Sequence, residues 1–441
     1  MKKILSMILI AGALVSGFGV YTAKAGQMEI LVDKLVEKGI LTPYEAQIIV
    51  AEAKEEAARE LAKGEAVTAP SWTQKIKIKG DVRYRNQVEW GKGLDPAHER
   101  IRNRVRARLG VEGQVNDEID AGVLLVTGST DPRSTNQTLD NNWQTQDIRL
   151  DQYYIDWHPA LPSDIGTMDV WAGKFKNPFE NTSLLWDGDI CPGGIAMNYA
   201  SSSFDLGNVP TTLFGNFGFL WIDELSTSQK DPLLFVFQGG TRMDVIEDWD
   251  ATFGAYAAYY ATSHIKNNDS YTSAAVVAGS GTNSYNADNT FKYGYDMVDV
   301  ILKYDAKAIF DLKVGHGVYA DLIWNTDPSK RNFAWMLGAY VGDKKPKDPG
   351  QWKAYFEWRH LEQDAVPDFM PDSDFYGYRS ATGAPAGGGT NGEGPVCGID
   401  YALFKNTVLS VKYYYTSPID LDAGAYDQPY QLWQTDINVK F

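Results

Sequence analysis

The sequence contains few cysteines, fewer bases than acids and no long apolar run beyond its first residues. Its 441 residues include only two cysteines, Cys191 and Cys397, which excludes a disulfide-dense scaffold and leaves neither thiol with a partner at zinc-binding spacing. After Val20 no stretch of about 18 consecutive apolar residues occurs, and this excludes a bundle of membrane-spanning helices. The 41 Lys and Arg residues are outnumbered by 57 Asp and Glu residues, so we expect no nucleic acid as a partner.

The amino-terminal residues have the order of a secretory signal peptide. Two lysines precede an apolar run over residues 4–20, and the small-residue site Ala23-Lys24-Ala25 follows it. We therefore expect residues 1–25 to be removed on export, with Gly26 as the first mature residue. A retained amino-terminal anchor is the alternative, but no positively charged stop-transfer flank supports it.

Residues 26–72 are expected to form a periplasmic helical hairpin followed by a linker. Gly39 is suited to ending a first helix, and Thr42, Pro43 and Glu45 supply the N-cap, the first-turn proline and the capping-box acid of a second. The segment is too short to bury a core of its own. We expect it to pack at the mouth of the domain that follows, and a trimerising or wall-binding stalk is the alternative.

From Lys75 onward the apolar residues recur with a period of two, which is typical of β-strands. In the first two strands, about 75–90 and 100–115, one face is apolar and the other is charged. Ile78 and Val82, for example, share the apolar face of the first strand. A strand of a soluble β-sandwich alternates in the same way, so the pattern alone does not say which face meets water.

The same period predicts about sixteen strands. The further strands are expected near residues 119–128, 147–157, 168–175, 194–201, 212–222, 232–243, 249–263, 291–304, 309–325, 332–342, 351–363, 395–404, 407–416 and 430–441. Short turns lie on one side, at 116–118 and 405–406. Long loops lie on the other side, at 129–146, 176–193, 264–290 and 364–394. We therefore predict an all-β fold, a transmembrane antiparallel up-and-down β-barrel over residues 73–441, whose outer face contacts outer-membrane lipid.

Aromatic residues make up 13% of the chain and fall largely near the ends of the predicted strands. Such positions suit the two interfacial girdles of a membrane barrel; the alternatives are core aromatics of a large sandwich or a sugar-binding platform. The chain closes on Trp433, Thr435, Ile437, Val439 and Phe441, which share one face. This resembles the terminal strand by which outer-membrane barrels are recognised by the barrel-assembly machinery.

Several internal stretches resemble one family. They are Gly80–Arg85, Glu99–Gly110, Ala172–Phe179 and Trp186–Asp189. Together they are similar to the bacterial outer-membrane barrels labelled putative porins, and the resemblance covers about residues 75–441. It implies a general or anion-preferring diffusion pore for small hydrophilic solutes in the outer membrane, with a homotrimer as one expected assembly.

The candidate pore-lining residues lie on the charged faces of the first two strands. They are Arg83, Arg85, Arg100, Arg102, Arg104, Arg106 and Arg108. Lipid does not accept ionised groups without a cost of about 2 to 4 kcal/mol for each Arg or Lys at the membrane midplane, so these arginines should face a water-filled lumen. They would either lower the barrier for anions or pair with acids on neighbouring strands and hold the wall rigid; the sequence supports both interpretations equally.

The third connection on the long-loop side, residues 176–193, counted from the one between the first two strands, carries Glu180, Asp187 and Asp189. In porins of this general architecture the third external loop commonly folds into the pore. That would place these acids opposite the arginines and produce a transverse field. The alternative is an exposed loop whose acids are solvated.

The two cysteines are expected at the same end of the barrel, since Cys191 lies in the loop of residues 176–193 and Cys397 begins the strand after residues 364–394. A disulfide between them is therefore compatible with an oxidising compartment. Two unpaired thiols are the alternative.

The sequence contains no recognisable catalytic or cofactor motif. The five histidines form no HExxH pattern and no GxSxG stretch occurs, so we expect neither an enzyme nor a bound metal or cofactor. A secreted β-rich carbohydrate-binding or hydrolytic protein is the alternative from another class. A ligand-gated transporter is disfavoured, because only about 45 residues separate the expected cleavage site from the first strand and leave no room for a plug domain.

Overall fold

The computed structural model describes residues 75–90, 100–140, 143–226, 228–271, 281–309, 312–376, 389–421 and 429–441. The predicted signal peptide and helical hairpin lie outside these ranges. Within the ranges, no helix is long and apolar enough to cross a membrane.

The regular secondary structure of the described chain is almost entirely β-strand. In chain order they are β1 (Ile76–Trp90), β2 (Arg100–Gln114), β3 (Ile119–Val126), β4 (Gln137–Thr138), β5 (Arg149–Trp157), β6 (Gly166–Lys174), β7 (Gly193–Ser201), β8 (Phe204–Leu206), β9 (Val209–Trp221), β10 (Leu233–Ile246), β11 (Ala251–Ser263), β12 (Met297–Ala306), β13 (His316–Asn325), β14 (Phe333–Gly342), β15 (Trp352–Leu361), β16 (Gly392–Phe404), β17 (Thr407–Pro418) and β18 (Tyr430–Lys440). A single 3₁₀ turn, Glu247–Trp249, separates β10 from β11.

The strands close into one barrel. Each long strand pairs antiparallel with the next along the chain, and β1 also pairs with β18. Val82 thus lies opposite Ala107 on one side and Val439 on the other. The short segments β4 and β8 pair only with β2 and β9. The described residues therefore form a closed antiparallel barrel of sixteen long strands, and the predicted fold class is confirmed.

Two predicted strands begin later than the sequence pattern suggested. β12 starts at Met297 and β13 at His316, rather than near residues 291 and 309. Phe291 is fully buried in a loop cluster, with its ring centroid 6.1 Å from that of Tyr271, so its apolar character reflects loop packing. Residue 309 is bonded to residue 312 within a local turn.

The exposure of the β1 side chains shows whether the apolar or the charged face of the strand is enclosed. Ile78 and Val82 are 65% and 53% exposed, whereas Asp81 and Arg85 are only 5% and 3% exposed. A soluble sandwich would bury the apolar face and expose the charged one. The opposite distribution is that of a membrane barrel, in which the apolar face contacts lipid and the polar face is enclosed.

Large aromatic side chains lie on the outer surface near the strand ends. Trp157, Trp221, Trp324 and Trp352 stand at or next to a strand terminus, Trp433 lies three residues inside the start of β18, and all five are 40% to 58% exposed. An exposed position at a strand end is that of an interfacial girdle. These residues are therefore not part of a sandwich core.

The connections differ in length at the two ends of the barrel. One end, the turn end, has tight connections such as 115–118 and 405–406, and the other, the loop end, has the long ones. At the loop end, Gly173 has φ of +120°, and a Cβ there would lie 2.3 Å from the Tyr153 carbonyl oxygen. Glycine is thus required where the chain leaves β6 and enters the loop of residues 175–192.

A candidate charged constriction in the barrel lumen

The seven predicted arginines lie on the inner face of β1 and β2, and Arg100 is exposed at the loop end. The antiparallel register sets Arg83 opposite Arg106 and Arg85 opposite Arg104. Like charges directly opposite each other destabilise a strand pair. Carboxylates from neighbouring elements must therefore offset this repulsion.

Several of these arginines are paired with buried acids. Arg85 donates from Nε and Nη2 to the two carboxylate oxygens of Asp436 on β18, at 2.7 and 2.8 Å, and its Nη1 lies 3.1 Å from Asp374. Asp81 accepts from Arg106 at 2.8 Å and from Arg108 at 2.6 Å. These contacts support the interpretation that part of the arginine wall is structural.

Three more arginines have other partners. Arg102 forms an ion pair with Glu89. Arg83 donates to the Asn136 side chain and lies 3.7 Å from Asp436. Arg104 donates to Ser134 Oγ at 3.2 Å and to the Asn136 carbonyl oxygen at 3.4 Å. Among the described residues no carboxylate lies within 4.0 Å of Arg104, so its guanidinium has only neutral hydrogen-bond partners.

The loop of residues 175–192 folds into the barrel and contacts the wall formed by β10, β12 and β13. The Glu180 backbone exchanges two hydrogen bonds with the Gln238 side chain, at 2.9 and 2.7 Å, and its carboxylate forms an ion pair with Lys303. Thr182 donates to the fully buried Asp321. Glu180, one of the acids predicted to lie opposite the arginines, is thus attached to the wall across the lumen from β1 and β2.

Asp187 and Asp189 lie at the other end of the same loop. Asp189 lies 3.6 Å from both Arg106 and Arg108. Asp187 is 9% exposed and accepts a hydrogen bond from the Ser373 backbone at 2.9 Å. Burial, together with its acidic neighbours, raises the pKa of the Asp187 carboxyl well above its ordinary value. The loop therefore crosses the lumen from β10 to β2.

A cavity of about 500 Å³ lies between the loop and the arginine wall. Its basic lining residues are Arg83, Arg85, Arg106, Arg108, Arg133, Lys353, Arg359 and Lys412. Its acidic lining residues are Asp187, Asp189, Glu357, Asp372, Asp374 and Asp400. The enclosed space is thus bounded by charges of both signs, and it suits hydrated polar solutes.

Comparison with known proteins assigns the chain to a family. A family model described as "Putative porin" matches residues 92–300 and 293–441. The chain belongs to this putative porin family. No protein with a curated description matches it in sequence. The porin is a β-barrel of the outer membrane, and both its family and its fold are those of a channel.

Several solved structures are similar to this porin in fold at low sequence identity. OprB of Pseudomonas putida, in a high-pH structure, is 12% identical with a TM-score of 0.49, over 85% of this chain and 96% of its own. The outer membrane channel DcaP of Acinetobacter baumannii is 12% identical with a TM-score of 0.44, over 83% and 97%. OmpF of Salmonella typhi, in a complex with daunomycin, is 12% identical with a TM-score of 0.43, over 83% and 97%.

Sequence reasoning missed the part of the porin constriction that comes from residues 362–376. Asp372 lies 2.8 Å from Arg359 on β15, and its backbone donates to the Ser183 carbonyl oxygen at 3.2 Å. Arg133, in the segment between β3 and β4, donates to the Asp368 carbonyl oxygen at 3.0 Å. The repeated acids of residues 362–376 were the available signal, but nothing local indicated that they point inward.

The structure contains no disulfide between the two cysteines. Cys191 and Cys397 are both free thiols. Cys191 is buried beside Gln152 and Asp151, at 3.2 and 3.4 Å, and burial raises its pKa to about 12. Cys397 is exposed on β16, where it lies opposite Phe356, which is itself on the outer face. The barrel wall thus separates the two thiols, because strand alternation directs Cys397 away from the lumen.

Proposed function

We propose that this porin is a passive diffusion channel for small hydrophilic solutes and that it favours anions. The observation that carries the proposal is the charge on the inner face, where the first cavity is lined by eight basic and six acidic side chains. Charged rings of this kind select permeating ions by sign.

The opposition of charges across the lumen supports selection for polar solutes. Arg83 lines the first cavity with an incompletely neutralised charge, Arg104 lies beside it on β2, and Asp372 and Asp374 line the same cavity from residues 362–376. A field across a narrow aqueous space orients dipolar solutes and disfavours apolar ones.

The proposal is tested by ion conductance of the purified porin in a planar bilayer. We expect steady conductance, and in a KCl gradient a reversal potential with the sign of an anion-preferring channel. Arg104→Gln should lower the anion-to-cation permeability ratio by about twofold or more, because it removes a weakly neutralised charge.

Lys307→Gln is the control. Lys307 follows β12 directly, its side chain is 81% exposed, and it pairs with Asp250, which precedes β11. The substitution should leave the ratio unchanged. A silent bilayer with correctly folded protein would exclude the channel, and a cation-preferring reversal potential would exclude the anion preference alone.

The assembly expected from the sequence is a separate proposal. A homotrimer, and recognition of Phe441 by the barrel-assembly machinery, stay predictions. Cross-linking of the porin in native envelopes should give a band of three chains. Deleting Phe441 should reduce the amount of folded barrel in the outer membrane.

A further inference from the structure

A second cavity adjoins the first inside the barrel. It measures about 210 Å³ and includes Lys303, Asp305 and Lys344 in its lining. Lys344 belongs to the connection between β14 and β15, at the turn end of the barrel. Because the cavities share part of their lining, they are neighbours in the lumen, and the second lies nearer the turn end.

Three residues line both cavities: Ser183, Lys353 and Glu357. Ser183 carries no charge, and its carbonyl oxygen is occupied by the Asp372 backbone. Glu357 accepts from Arg359 at 2.9 and 2.6 Å and from the Tyr319 hydroxyl. The negative charge of Glu357 is therefore offset by its own partner, and the ammonium of Lys353 is the remaining charge at the junction.

The Lys353 ammonium forms no salt bridge with an acid of the described residues. Its cross-strand neighbour is Asp400, but in the described part of the chain no carboxylate lies within 4.0 Å of its Nζ. The ammonium instead lies 5.1 Å from the ring centroid of Tyr340 and 5.0 Å from that of Tyr355. Aromatic faces attract a cation but do not cancel its charge, so the two rings fix the position of the ammonium and leave it able to bind an anion.

The two other lysines that line the second cavity, unlike Lys353, each contact an acid. Lys303 is paired with Glu180 and Lys344 with Asp305. Their charges are therefore balanced by a contacting acid, whereas among the described residues Lys353 has acids only at longer range.

We propose that Lys353 is a selectivity residue, which binds the carboxylate or phosphate group of a permeating solute as the solute moves between the two cavities. The proposal rests on the proposed channel function and assigns one step of it to one side chain. The expected solutes are small anions whose charged oxygens can reach the Lys353 ammonium between Tyr340 and Tyr355.

The test is the reversal potential of Lys353→Gln in a KCl gradient and then in a potassium phosphate gradient. We expect the anion-to-cation permeability ratio to fall about threefold or more, because a fixed unit charge at a narrow point is removed. Lys353→Arg should keep most of the ratio, since it retains the charge and stacks on aromatic rings. Lys307→Gln again serves as the control.

Heat-modifiable migration on gels checks that each variant has folded, and Lys353→Met provides an uncharged variant of similar length if Lys353→Gln does not fold. An unchanged reversal potential in a folded, conducting uncharged variant would overturn the role of Lys353 and leave the channel intact. Absence of conductance in the wild type would instead overturn the channel itself.

Discussion

Asp436 shows how a wall of like charges is stabilised inside this barrel. The register of β1 and β2 places Arg83 opposite Arg106 and Arg85 opposite Arg104. Asp436 accepts two hydrogen bonds from Arg85 and lies 3.7 Å from Arg83. Because Asp436 lies on β18, one carboxylate both offsets the repulsion and joins the two strands that close the barrel.

Asp436→Asn should lower the free energy of unfolding by about 2 kcal/mol, because a buried guanidinium loses a charged hydrogen-bond partner. Arg85 keeps Asp374, which limits the loss. The measurement is urea unfolding in lipid vesicles, followed by tryptophan fluorescence. Asp147→Asn is the matched control, since Asp147 is 81% exposed in its side chain and pairs with Arg149 at the surface. Equal unfolding midpoints for the two variants would contradict the argument.

The constriction depends on two loops that hold each other. The Asp187 backbone donates to the Met370 carbonyl oxygen at 2.7 Å, and the Ser373 backbone donates to the Asp187 carboxylate at 2.9 Å. The Asp372 backbone N–H donates in turn to the Ser183 carbonyl oxygen. The loop of residues 175–192 is thus positioned by residues 362–376 as well as by the barrel wall.

This junction predicts a dependence of ion selectivity on pH. Burial raises the pKa of Asp187 above its ordinary value of 3.8, and the nearby Asp372 and Asp189 raise it further. Since the folded pKa is raised, the loop junction is most stable at low pH and is weakened as the pH rises through that pKa. As the pH falls through the same range, Asp187 loses its charge, and the anion-to-cation permeability ratio should increase.

Reversal potentials measured from neutral pH downward test this. Asp187→Asn should show at neutral pH the ratio that the wild type reaches only after acidification. If the permeability ratio of Asp187→Asn changed with pH as that of the wild type does, at pH values above the ordinary Asp range, a group other than Asp187 would be responsible. Asp205→Asn, on the short strand β8 at the turn end, is the control and should titrate as the wild type does.

The strands could be predicted from the sequence and the constriction only in part. Alternation is a local property, so Ile78 and Asp81 were assigned to opposite faces from their spacing alone. Contacts across the lumen are not local: Arg85 and Asp374 are separated by 289 residues, and Asp187 and Ser373 by 186. No periodicity connects such positions. The acids of the 175–192 loop could be named in advance, but their partners could not.

At the scale of the whole molecule, the barrel places an apolar surface outside and a charged one inside. Leu337, in the middle of β14, is 52% exposed on the outer surface. Ser410 on β17 lies between Asp436 and Asp400, which face the lumen. The same substitution at these two positions therefore meets lipid in one case and enclosed water in the other.

Leu337→Arg should lower the free energy of unfolding in lipid vesicles by about 2 to 4 kcal/mol, the cost of a guanidinium facing the membrane midplane. Ser410→Arg should cost far less, because the new charge faces water and two carboxylates. Urea titrations of both variants, with heat-modifiable migration as the check on folding, give the comparison. If the two variants were equally stable, the face of β14 that carries Leu337 would not contact lipid, and the inward orientation of the arginine wall would lose its physical basis.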